Sequence, residues 1–210
     1  MPATRTRKPP EVRRQEILDA VIAVAIDRGL DGITVRDVAQ RASVTPGLIH
    51  HYFPSLDEML TTAFGEWADR SLERTLLDAR DVSPRMGLAQ VVADNTPAQR
   101  LWNDALSTAS RFELLKQRAH DLSVSYRDHV ESLIRAGVGD GSFVCADPRA
   151  TAWRVILMLD GLVPMVHVLG LIAPLEIPAI VGPVVENELG LETGSFTELA
   201  LAMMRSASTP

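Results

Sequence analysis

The chain has 210 residues, of which 46% are hydrophobic and 23% charged, and its net charge is −6. A chain of this size buries roughly 70% of its unfolded surface, and the absence of low-complexity tracts and repeats excludes disordered, collagen-like and solenoid proteins. One cysteine, Cys145, excludes an internal disulfide and a cysteine-rich metal site and favours a reducing, cytoplasmic setting. Residues 1–20 are basic without the apolar core of an export signal, so we expect no export.

The charge is unevenly distributed along the chain. Residues 1–56 hold eight basic and six acidic side chains, a net +2, which leaves −8 for the remainder. We therefore divide the chain into a mildly basic head, residues 1–54, and an acidic body, residues 55–210, and expect each to be a domain.

Hydrophobic spacing and capping residues predict three helices in the head. An apolar stripe that includes Ile17, Val21 and Val24 predicts a first helix from about Glu11 to Arg28. The residues typical of helix N-caps are Thr34, Thr45 and Ser55. These caps delimit short helices over about 34–42 and 45–52 and the start of a fourth helix at about 55.

The two short helices of the head are joined by a tight turn at residues 42–44, as in a helix-turn-helix. In that motif the second helix enters the DNA major groove. A helix over 45–52 is about 12 Å long, which matches a groove about 12 Å wide.

Three segments, Thr34–Ala39, Ala42–Phe53 and Asp57–Leu60, resemble the DNA-binding domain of the tetracycline-repressor (TetR) family of bacterial transcription regulators. The resemblance implies that one set of residues faces base edges or phosphates. This set is Arg36, Thr45, Pro46, Gly47, Leu48, His50, His51 and Tyr52. It also implies a buried set, which is Val38, Ala39, Val44, Ile49 and Phe53.

The head departs from the family pattern at three positions. Ser43 stands where the turn usually has glycine, His50 where an aromatic residue is frequent, and Leu56 where lysine usually follows the third helix. Without that lysine, phosphate contacts could come from a basic N-terminal segment, for which a solvated tail is the alternative. Its basic residues are Arg5, Arg7, Lys8, Arg13 and Arg14.

The body shows helical spacing and no strand alternation, so we expect an all-α protein of about nine to ten helices. Predicted helix starts lie at Leu56, Thr96-Pro97 and Asp147-Pro148, with a capped terminal helix at Ser195. Further helices are predicted around 122–134 and 178–190. The apolar stretch 155–173 is long enough to span a membrane, but Asp160 near mid-span, followed by Pro164 and His167, favours a buried helix instead.

The body also resembles the choline-responsive, BetI-type members of the family, at Trp102, Gly137–Phe143, Asp147 and Asp160–Leu162. The resemblance implies a homodimer paired through its last helices and a small-molecule effector bound inside each body. Candidate effector residues are Trp67, Trp102, Phe112, Tyr126, His129 and Met158. Ordinary core packing is the alternative role for each of them. The acidic body favours a cationic or amphipathic effector.

The sequence lacks the motifs of common enzymes: a phosphate-binding glycine loop, His-Glu-x-x-His or Gly-x-Ser-x-Gly. We therefore expect no catalysis, no cofactor and no metal site. The predicted function is a DNA-binding regulator, most simply a repressor that an effector releases from a palindromic operator. The alternative is a helical module that binds proteins or lipids without reading DNA.

Overall fold

The computed structural model describes residues 8–78, 82–94 and 98–207, which form ten α-helices and no strand. The helices of the first half are α1 (Pro10–Arg28), α2 (Val35–Arg41), α3 (Pro46–Tyr52), α4 (Leu56–Asp78) and α5 (Pro84–Ala93). Those of the second half are α6 (Ala98–Thr108), α7 (Glu113–Gly139), α8 (Pro148–His167), α9 (Ile177–Leu189) and α10 (Ser195–Ala207). The all-α expectation is confirmed.

The chain divides into two compact units. The first comprises residues 1–67 together with 104–119, and the second comprises 68–103 together with 120–210. The first unit therefore includes the start of α4, the end of α6 and the start of α7 in addition to the head defined from the sequence. α4, α6 and α7 each contribute residues to both units.

Side-chain caps start the short helices of the first unit, as the sequence predicts. Thr34 accepts a hydrogen bond from the Asp37 amide at 3.2 Å, and the Asp37 carboxylate accepts one from the Thr34 amide at 2.9 Å. Thr45 caps α3 through the Leu48 amide, at 3.4 Å. These bonds satisfy amides that have no partner within their own helix. They therefore stabilise the first turns of two helices that are only seven residues long.

The turn between α2 and α3 contains a residue in the left-handed conformation. Ser43 has φ +55° and is the only residue other than glycine with positive φ in the described part of the chain. A left-handed conformation costs a residue with a Cβ roughly 1–2 kcal/mol. This is the turn position at which Ser43 replaces the more usual glycine.

A single large apolar cluster forms the core of the second unit, with contributions from α5, α7, α8, α9 and α10. Helix α5, capped by Ser83, is not among the helices predicted from the sequence. Packing in this unit is tight where glycines meet large side chains. A Cβ on Gly87 would lie 2.8 Å from Leu133, and one on Gly137 would overlap the ring of Phe143.

Buried Glu186 caps the start of α10. Its Oε1 accepts hydrogen bonds from the amides of Phe196 and Thr197, at 2.9 and 2.8 Å, and its Oε2 accepts one from the Gly194 amide at 2.8 Å. The prediction that Ser195 caps this helix is wrong, because Ser195 is its first residue and its hydroxyl donates to the Glu192 carbonyl at 2.5 Å. The start of α10 is therefore capped by the carboxylate of Glu186 and not by the hydroxyl of Ser195.

The predicted helix start at Thr96-Pro97 lies outside the described residues. Helix α8 begins as predicted, with Asp147 accepting from the Ala150 amide at 3.0 Å and Pro148 at its first position. Among the described helices, none combines the length and apolar character needed to cross a bilayer.

Candidate nucleic-acid interface

Helix α3 has one buried face and one exposed face. Ile49 and the following Phe53 are only 1% and 2% exposed. The residues predicted to read DNA lie on the surface: Thr45, Pro46, Gly47, His50 and His51 are exposed, and Leu48 and Tyr52 are half-buried. The helix is therefore anchored by its apolar side while its other side meets solvent.

Gly47 leaves the start of α3 open. A Cβ built at this position would have no atom within 4 Å. No packing constraint within the protein requires a glycine here, and the absence of a side chain lets another molecule approach the backbone closely. Of the residues predicted to be buried, Val38, Ala39, Ile49 and Phe53 are buried, whereas Val44 is half-buried.

Helix α2 presents two exposed arginines, Arg36 and Arg41. Sequence reasoning selected Arg36 and missed Arg41, which lies in the last turn of α2 directly before the turn of the motif. Its charge and its position next to that turn were visible in the sequence, but the family pattern gave it no role.

The described basic residues of the N-terminal segment, one before α1 and two in its first half, are paired with carboxylates of the same unit. Lys8 and Arg13 both contact Glu16, the latter at 2.6 Å. Arg5 and Arg7 lie outside the described residues. Partners within the protein already occupy Lys8 and Arg13, so contact with phosphate would compete with these ion pairs.

Arg14 serves the packing of the first unit. Its guanidinium lies 5.3 Å from the centre of the Phe53 ring and 3.1 Å from Glu66 of α4. A cation above an aromatic face is stabilised by the ring quadrupole. Arg14 therefore holds the residue that ends α3 between α1 and α4.

The six candidate effector residues are distributed over the two units. Trp67 and Phe112 belong to the first unit, and Trp102, Tyr126, His129 and Met158 belong to the second. Tyr126 and Met158 pack against the large apolar cluster. His129 is buried, and its Nε2 atom has no hydrogen-bond partner among the described residues.

Tyr126 of the second unit is influenced by burial and by two carboxylates. Burial raises the pKa of its hydroxyl, and the charges of Asp94 and Asp160 raise that pKa further. Burial also raises the pKa of the Asp160 carboxyl to about 6. Burial lowers the pKa of the His129 imidazole, because it disfavours the charged ring. The region thus has an aromatic ring and a carboxylate, Asp160, whose charged form is disfavoured by burial.

The described residues contain no group of three or more histidine, cysteine or acidic side chains able to hold a metal ion. His50 and His51 are consecutive on α3, so their side chains project about 100° apart around the helix. The exposed surface of α3 therefore offers polar contacts and not a chelating pair.

The sequence profile of the bacterial regulatory proteins of the tetR family matches residues 17–63, which span α1 to α3 and the start of α4. The regulator BetI of Paraburkholderia xenovorans is 30% identical over 161 residues, which cover 72% of this chain and 80% of that protein. The chain belongs to the TetR family. It is a DNA-binding transcriptional regulator, and the expectation that it is not an enzyme is confirmed by this membership.

Solved structures support the TetR-family fold over most of the chain. A regulator of Saccharomonospora viridis in complex with choline superimposes with a TM-score of 0.77 at 17% identity, covering 85% of this chain and 98% of the other. The regulator FadR of Bacillus subtilis in complex with stearoyl-CoA gives a TM-score of 0.59 at 19% identity, covering 91% of this chain and 95% of the other.

The alternative function, a helical module that binds proteins or lipids without reading DNA, is not favoured by these relatives, which are transcriptional regulators.

Proposed function

We propose that the protein binds a palindromic operator through α3 and releases it when an effector occupies the body. The exposed side of α3, opposite Ile49 and Phe53, carries this proposal. Contacts to base edges and phosphates are assigned to the residues predicted from the sequence. These are Arg36, Thr45, Pro46, Gly47, Leu48, His50, His51 and Tyr52. We add Arg41 as a phosphate contact, because it is exposed beside the same turn.

Selection of duplexes from a random pool, followed by fluorescence anisotropy, tests the DNA-binding proposal. We expect an enriched palindrome, and we expect Arg36→Ala to weaken its binding about tenfold, as loss of roughly one charged contact would. Arg149→Ala, which removes an exposed arginine of α8, is the matched control and leaves affinity unchanged. No enrichment would contradict the function, whereas equal affinities of the two variants would remove only Arg36 from the interface.

We propose further that two copies pair through the exposed faces of α8 and α9. TetR-family regulators are dimers. Leu157 is 62% exposed on α8, and Gly161 and Val168 follow it at helical spacing on the exposed side. Ile180 and Pro183 are exposed on α9. Exposed apolar residues on two helices that pack against each other are typical of a subunit interface.

Pairing of two heads is required to place α3 helices in successive major grooves, about 34–36 Å apart. We expect Leu157→Arg to convert the dimer into a monomer in sedimentation velocity and to weaken operator binding. Val138→Arg, which changes an exposed apolar residue of α7, is the matched control and leaves the dimer intact. A dimer that persists in Leu157→Arg would place the interface elsewhere.

We infer that the effector is cationic and that Asp160 and Tyr126 recognise it. A carboxylate with its pKa raised to about 6 by burial is stabilised when a positive charge approaches it. Tyr126 adds an aromatic face of the kind that attracts quaternary ammonium groups. His129 lies one turn further along α7, on the same side of the helix. The choline complex of the Saccharomonospora viridis regulator supports this chemical class.

Thermal unfolding with choline and with its uncharged carbon isostere tests the effector class. At a concentration about 100 times Kd, choline stabilises the native state by about 2.7 kcal/mol, and the isostere does so much less. We expect Asp160→Asn to remove the preference for choline over the uncharged compound. Asp147→Asn, at the exposed N-cap of α8, is the control and keeps that preference. Equal stabilisation by both compounds, or stabilisation by a fatty acyl compound alone, would contradict a cationic effector. We also infer a cytoplasmic location, because this is where a regulator of this family meets its operator.

A further inference from the structure

Asp57 connects the start of α4 to the start of α7. Its Oδ2 accepts a hydrogen bond from the Leu114 amide at 3.2 Å, and its Oδ1 accepts one from the Leu115 amide at 3.3 Å. The Thr61 hydroxyl donates to Oδ1 at 3.1 Å and fixes the carboxylate. The first amides of a helix have no partner within that helix. A residue 57 positions earlier than Leu114 therefore supplies the cap of α7.

Asp57 also lies close to the reading helix along the chain. It is in the first turn of α4, five residues after the end of α3 at Tyr52. The connection consists of the buried Phe53, Pro54 and the capping residue Ser55, whose Oγ accepts from the Glu58 amide at 3.1 Å. Because this connection is short and constrained, we expect that α3 moves when the first turn of α4 moves.

A second contact joins the same part of the chain to the other side of the motif. Arg111, two residues before α7, donates to the Asp31 carbonyl at 3.1 Å, between α1 and α2. Asp104 lies beside Gly29, where a Cβ would be 3.1 Å from its Oδ2 atom. Residues 104–119 are accordingly part of the same compact unit as the helix-turn-helix.

Helix α7 continues without interruption from Glu113 to Gly139 and carries both Tyr126 and His129. The amides that Asp57 caps and the residues proposed to recognise the effector therefore belong to one helix.

We propose that Asp57 is the positioning residue that couples α7 to the reading helix. The proposal rests on the function proposed above and names the residue through which that function is regulated. With the cap formed, α4 and α3 hold the arrangement that binds operator, and a shift of α7 away from Asp57 releases it. Coupling between two sites is reciprocal. If the Asp57 cap favours operator binding, operator binding must also strengthen the cap, even when no effector is present.

Reciprocity allows a test with DNA alone. Amide hydrogen exchange is measured for the full chain, without DNA and bound to a duplex selected by the wild-type protein. In the wild type we expect operator to slow exchange of the amides in 45–52 and also, by about fivefold or more, of those in 113–119. In Asp57→Asn, a neutral side chain with one acceptor oxygen replaces the two carboxylate oxygens that accept from Leu114 and Leu115. In this variant we expect slowing to persist in 45–52 but to fall below twofold in 113–119.

Glu58→Gln is the matched control, because it removes a neighbouring carboxylate of α4 that does not cap α7. We expect this variant to show the same slowing of amide exchange in 113–119 as the wild type. Circular dichroism of both variants verifies an unchanged helix content. The coupling role of Asp57 would be overturned by either of two results: operator binding that does not slow exchange in 113–119 of the wild type, or slowing in Asp57→Asn equal to that in the wild type. Neither result would contradict the proposal that the protein binds DNA. The absence of slowed exchange in 45–52 would contradict the proposed function itself, and the coupling role with it.

Discussion

The two units of this regulator are stabilised in different ways. In the first unit, helices of seven residues start at side-chain caps and bury only a few apolar residues each, such as Val38 and Ile49. In the second, long helices bury a large apolar cluster and glycines permit close packing. Both units thus bury apolar side chains, but the short helices of the first also rely on local polar caps, whereas the long helices of the second rely mainly on apolar contacts between residues distant in sequence.

The clearest exception to this difference is Glu186, a carboxylate buried beside the apolar cluster. Its hydrogen bonds to the start of α10 lower its pKa, although burial acts in the opposite direction and is the largest single influence. We expect Glu186→Ala to destabilise the native state by about 3 kcal/mol, because it leaves three backbone donors unpaired. Urea unfolding followed by circular dichroism measures the change.

The exposed Glu198, in the first turn of α10, provides the control for Glu186. Glu198→Ala removes a carboxylate from the same helix end and is expected to cost less than about 1 kcal/mol. Because the pKa of Glu186 is lowered, its contribution is present above the unfolded pKa of about 4.3 and is lost as the pH falls through the folded value. Similar losses in the two variants would show that the cap is unimportant.

Gly137→Ala tests close packing in the second unit. The added methyl group would overlap the buried ring of Phe143, so we expect a loss of about 2 kcal/mol by overpacking. Gly139 occupies the end of the same helix, and a Cβ there meets no atom within 4 Å. Gly139→Ala is therefore neutral or slightly stabilising in differential scanning calorimetry, and equal Tm changes for the two variants would contradict the packing argument.

Asp160→Asn probes a carboxylate that burial disfavours. Because its folded pKa, about 6, is above the unfolded value, its favourable contribution is present at low pH and is lost as the pH rises through 6. We expect the variant to match the wild type near pH 4 and to be more stable at pH 8 by roughly 1–2 kcal/mol. Tm values measured from pH 4 to pH 8 without effector test this, and a constant difference across the range would contradict it.

Thr34→Ala tests the polar caps of the first unit. Loss of the hydroxyl that accepts from the Asp37 amide is expected to destabilise α2 by about 1 kcal/mol. Thr34→Ser restores the acceptor and returns most of that stability. Amide exchange within residues 35–41 reports the local change, and equal exchange in the alanine and serine variants would show that the hydroxyl does not matter.

The sequence predicted the first unit in detail because its signals are local. Thr34, Thr45 and Ser55 cap helices a few residues away, so each boundary can be identified within a short window. The capping of α10 by Glu186 could not be found in this way, because the acceptor is ten residues from Phe196 and its burial depends on the whole second unit. The predicted DNA-reading and effector residues remain predictions.

Ser43 has a consequence for how the protein opens. Its left-handed backbone stores strain in the turn of the motif, and that strain is released when the turn alone unfolds. A segment with short helices and a strained turn lies at the low end of the range of local opening free energies. We therefore expect proteases to cleave first near residue 43 when no operator is present, so that DNA also protects the regulator from degradation.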